Sequence, residues 1–123
     1  MHIKEIYEPE EVRRICNKQQ TEYFSAIKET YIELNKACTS LPYHIQRVTM
    51  LYIKSALTTA ACFWQLEGYF AIESMENDRQ SIEDMRKLYG SIYGFINNAV
   101  DSCKEHNNNL AILIESKLGA FLP

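Results

Sequence analysis

Apolar residues recur along this chain with the 3.6-residue period of an α-helix, and no run alternates with the period of two that marks a strand. The first stripe is Val12, Ile15, Cys16, Tyr23, Ile27, Leu34, Ala37 and Cys38. It predicts a helix over about 9–39, opened by Pro9 with Glu10 and Glu11 in its first turn and closed before Pro42. The polar run Asn17–Thr21 thins the stripe, so a kink or break is one expectation there.

The second helix, expected over 43–74, is apolar on two faces. Ile45, Val48, Tyr52, Ala56, Phe63, Leu66 and Phe70 form one. Met50, Ile53, Leu57, Ala61, Trp64, Gly68 and Ala71 form another, roughly a third of a turn away at 100° per residue. The remaining polar wedge is narrow: Arg47, Lys54, Thr58 and Gln65. A helix apolar around most of its circumference is surrounded by protein. Either it is the central helix of a bundle, or its second face meets another chain.

The third helix is expected over 79–106, with Ser81 and Asp84 arranged like a capping box. Its stripe, Ile82, Met85, Tyr89, Ile92, Ile96, Ala99 and Cys103, is spaced as a heptad seam. A short fourth helix, over about 110–119, is capped by the Asn107–Asn109 run. It carries Leu110, Leu113, Ile114 and Leu118, ends at Gly119 and is followed by the apolar tail Ala120–Pro123. The fold expected is therefore all-α: an antiparallel bundle of about four helices, three long and one short, in a single domain spanning 1–123.

The stretch KLYGSIYGF (Lys87–Phe95) places Gly90 and Gly94 four apart within the third helix, away from the heptad seam. A helical glycine costs roughly 0.8–1.0 kcal/mol relative to alanine. Three readings account for the pair: a left-handed helix stop at Gly90, two tolerated exposed glycines, or a bare patch bordered by Tyr93 and Phe95 where another helix or chain comes close.

Totals narrow the function. The 123 residues bury enough core, about two thirds of the unfolded surface, to need no staple. Net charge is −3, which gives no broad basic field for nucleic acid or anionic lipid. The first residues, MHIKEIYEPEE, do not read as a secretory leader, and no apolar run approaches the roughly 20 residues of a membrane span. A soluble, cytoplasmic protein is expected. Cys16, Cys38, Cys62 and Cys103 form no C-x-x-C pair and read as buried thiols.

Chemistry is thin. Cys103 and His106 stand three apart, but two residues are not a metal site, and no metal or cofactor is expected. No phosphate loop or nucleophile signature occurs. Glu67 falls between the two apolar faces of the second helix, where a carboxylate is either solvated, partnered or proton-active. Acidic residues crowd the turn between the second and third helices, and eight tyrosines suit both core edges and interfaces. The function expected is a non-catalytic protein-binding module: an adaptor, small chaperone or inhibitor of bacterial or mobile-element type. Its partner is another protein or a second copy in a homodimer. The residues proposed for the interaction surface are Gly90, Gly94, Tyr93, Phe95, Trp64 and Glu67. The alternative is a ligand-binding or enzymatic bundle with an internal pocket near Glu67, Tyr52 and Trp64.

Overall fold

The computed structural model describes the backbone of residues 9–73 and 79–122, and the side chains of 18, 21–64 and 83–122. Four helices follow one another: α1 (Pro9–Ala37), α2 (Tyr43–Glu73), α3 (Arg79–Cys103) and α4 (Asn108–Gly119). The described residues contain no strand, and the fold is an all-α bundle. Glu67, Gly68, the Ser81 cap, the acidic turn and Cys16 lie outside the described side chains.

Each break has a local cause. After α1 a single 3₁₀ turn, Cys38–Ser40, tightens the chain. Thr39 Oγ1 donates to the Lys36 carbonyl at 2.7 Å and Ser40 Oγ to the Ala37 carbonyl at 3.1 Å, which occupies acceptors at the helix end. Leu41 is extended (φ −85°, ψ 154°), the conformation a following proline imposes. The Pro42 carbonyl then accepts from Gln46 N at 2.8 Å and starts α2. α3 stops at Cys103, three residues short of the expected 106, because the His106 and Asn107 amides turn back onto the Cys103 carbonyl at 3.0 and 2.9 Å. Asn107 itself is the cap of α4: its Oδ1 accepts from Leu110 N at 3.0 Å.

α1 runs unbroken through Asn17–Thr21, so the thinned stripe produces no break. α3 runs unbroken through Gly90, which has an ordinary helical backbone, so the left-handed stop is excluded. A Cβ built on Gly90 or on Gly94 meets nothing within 4 Å. Among the described residues neither glycine serves a close approach. Changing both to alanine is therefore expected to raise stability by roughly 1–2 kcal/mol through helix propensity, measured by urea unfolding. No gain would mean that the open space is filled by something outside this chain.

α2 is the central helix, packed most extensively on α3 and then on α1, while α4 lies against α3 and reaches both others. Tyr31 meets Lys54 and Tyr23 meets Trp64, so positions rising along α2 fall along α1: the two are antiparallel. Met50, Ile53 and Leu57 of the second α2 face are buried with Leu34, Ile92, Ile114 and Leu118 in one core. At these positions that face is core, covered by the chain itself. The α3 seam holds at Ile92, Ile96, Ala99 and Cys103, but Tyr89 is 41% exposed. Leu88 and Phe95 pack on the core instead, because the buried stripe of α3 spreads to reach more than one neighbouring helix. No helix among the described residues is long and apolar enough to cross a membrane.

Candidate functional site

Trp64 projects from α2 toward α1 and the segment after α4. The Tyr23 and Trp64 rings stand 5.0 Å apart, and Phe121 meets Tyr23 edge to face at 5.3 Å. Tyr23 Oη and Trp64 Nε1 both donate to the Phe121 carbonyl, each at 3.3 Å. The turn that delivers Phe121 is closed by its own amide onto the Leu118 carbonyl and by the Leu122 amide onto that of Gly119. A polar atom on each ring thus finds an acceptor while the ring faces stay apolar, the arrangement that buried Tyr and Trp require. Burial drives the Tyr23 phenol well above its ordinary range, so it stays protonated and acts as a donor.

The residues expected to share one surface divide into separate places. Gly90, Gly94 and Tyr93 stay together on α3, where Gly90 and Tyr93 are exposed and Gly94 is half-buried. Phe95 packs against the core, away from that patch. Trp64 belongs to the aromatic junction, its indole N–H already used by Phe121. Tyr52 is half-buried against the core, and the Glu67 side chain lies outside the described residues.

The thiols also separate. Cys38 and Cys103 are buried as expected, but Cys62 is exposed on α2. Burial, with the Cys103 thiol as a smaller contributor, pushes Cys38 from 9.0 up to about 11, and burial raises Cys103 as well. Both are thiols at neutral pH and poor nucleophiles there. The sign of the pH dependence follows. Raised pKa values stabilise the fold below pH 9, and that contribution is lost as pH climbs toward 11. The urea midpoint is expected to fall across this window, and Cys38→Ala should flatten the fall. Cys103 and His106 do not share a face, since His106 is exposed beyond the end of α3. Among the described residues no three His, Cys, Asp or Glu stand close enough to hold a metal ion.

Two features escaped the periodicity. Inside the α2–α3 interface Thr49, with no exposed surface, meets Ser102 oxygen to oxygen at 2.7 Å. Ser102 Oγ donates onward to the Ala99 carbonyl at 2.8 Å, so the Thr49 hydrogen points at Ser102. The signal was available, because Thr49 falls about 20° from Ala56 and 40° from Ile53 on the wheel. The second feature is a set of exposed apolar residues on α2. Leu51 is 61% exposed and Tyr43 72%, although α2 is the central helix. Leu51 lies in the row Arg47, Leu51, Lys54, Thr58, spaced 4, 3, 4, which is the polar wedge itself.

Comparison with known protein families, with characterised proteins and with solved structures finds no match to this chain.

Proposed function

We propose that this protein is a non-catalytic protein-binding module, an adaptor, small chaperone or inhibitor that works by presenting helix surfaces to another protein. One observation carries the reading. The central helix, which has the most neighbours available to cover it, still leaves Tyr43, Val48 and Leu51 in water. Single exposed apolar residues are ordinary, but three on the first turns of one helix point to a contact surface. Ile32 on α1, Ile112 on α4 and Tyr93 on α3 add further exposed apolar area.

Self-association is one form of this reading. Met50, Ile53 and Leu57 of the α2 face on which the sequence leaves room for a second copy are in the core, which favours these exposed residues as the surface of a homodimer. Light scattering at micromolar concentration separates the two forms. A particle near twice 14.3 kDa is the expected result for a homodimer. A monomer that retains a specific protein in a pull-down is the expected result for a different partner. A monomer that retains nothing above background would remove the reading altogether.

A further inference from the structure

We infer that the α1–α2 face around Leu51 is a docking surface for an acidic amphipathic helix of another protein; this rests on the protein-binding reading above. On α2 the exposed row sets Arg47 and Lys54 on either side of Leu51. The two cations are two turns apart, about 10.5 Å at 1.5 Å per residue. Lys54 Nζ lies 6.0 Å from the centre of the Tyr31 ring, which joins this row to the α1 row Phe24, Lys28 and Tyr31. Arg47 likewise lies over Tyr43 at 5.8 Å. Aromatic rings hold two of the cations in place, and no carboxylate is needed to do so.

The charge on this face is one-sided. Lys28, Arg47 and Lys54 form no ion pair among the described residues, whereas Arg86, Lys104 and Lys117 each have one. From Tyr43 to Leu66, α2 contains no Asp or Glu. The exposed acids of α1, Glu22, Glu29 and Glu33, stand roughly 150° around the helix from the Phe24–Lys28–Tyr31 row. Two cations flanking an exposed leucine, with a third on the adjoining α1 row, thus sit on a chain whose net charge is −3.

That pattern selects the occupant. A second copy of this chain would bring like charges together, which disfavours it. A membrane surface or a nucleic acid duplex presents a continuous negative field, which the rest of this acidic chain repels. A helix with an aliphatic residue for Leu51 and carboxylates two turns apart for Arg47 and Lys54 complements both the shape and the charge.

The test uses the full chain and a fluorescein-labelled helical peptide with leucines on one stripe flanked by glutamates. A matched peptide replaces every glutamate with lysine. Fluorescence polarisation should show binding of the glutamate peptide only, weakening as salt is raised. Leu51→Asp, and the triple change Lys28→Glu, Arg47→Glu, Lys54→Glu, should each weaken it at least about tenfold. The triple variant should then bind the lysine peptide, a gain that a misfolded chain cannot produce. Equal binding of both peptides, indifference to the variants, or binding instead to phosphatidylserine vesicles or duplex DNA would overturn the inference. A photo-crosslinker at position 51, and separately at 112, separates this inference from the broader reading. Partner capture at 112 alone overturns the docking surface and leaves the protein-binding reading standing; capture at neither overturns both.

Discussion

Replacing Phe121 with alanine is expected to cost about 3–5 kcal/mol, the range for emptying a buried aromatic site. The ring is only 7% exposed and lies edge to face against Tyr23. The substitution leaves the Phe121 carbonyl in the chain but removes the ring that holds it against its two donors. Trp64 is the chain's single tryptophan, so its fluorescence reports on this site alone. Its emission should move to longer wavelength in the folded variant, because water replaces the ring. Urea unfolding and an emission spectrum decide the matter together. A loss below about 1 kcal/mol with unchanged emission would show that Phe121 does not cover the junction.

A second large effect is expected at the Thr49–Ser102 pair, and its value lies in the signs. Ser102→Ala strands the buried Thr49 hydroxyl and should cost about 1–3 kcal/mol. Thr49→Val removes the donor while Ser102 keeps the Ala99 carbonyl, so it should cost less than about 1 kcal/mol. Combined, the two should cost less than their sum, with a coupling of about 0.5–3 kcal/mol. Thr49→Val should therefore cost less in the Ser102→Ala background than alone, and it stabilises that background once the coupling exceeds its own cost. If Ser102→Ala costs less than about 0.5 kcal/mol, the Thr49 hydroxyl has turned to a carbonyl of its own helix instead.

The helices were legible because burial repeats at the helical period, and the positions that follow it, Leu34, Ile53, Ile92 and Ile114, are the most deeply buried. Asn107 was legible as a cap because a short side-chain acceptor before an apolar run has one natural use. Both faces of α2 follow from the wheel and both supply core residues, Ala56 and Phe63 from one and Ile53 and Leu57 from the other, but how much of each is covered depends on where α1, α3 and α4 settle. Leu51 and Cys62 belonged to neither drawn face, and both are exposed. The role of Phe121 was illegible for a different reason. Tyr23 and Trp64 converge on a main-chain carbonyl, and every residue carries one, so no side-chain pattern marks it. The expected surface residues stand apart, because Phe95 lies about 140° around α3 from Gly90 and Trp64 is on another helix.

The junction at Phe121 also sets an order of events during synthesis. Tyr23 and Trp64 are made 98 and 57 residues before the carbonyl that satisfies them. At about 5–20 residues per second, Tyr23 waits roughly 5–20 s for its acceptor, and Trp64 roughly 3–11 s. Leu110, Ile114 and Leu118, which help to close the core, arrive in that same late interval. Until then the parts of the α1, α2 and α3 core that α4 covers stay open. Closure of this fold is thus governed by the arrival of α4 and the turn beyond it, and substitutions there should lower the yield of folded protein in the cell by more than their effect on equilibrium stability alone would suggest.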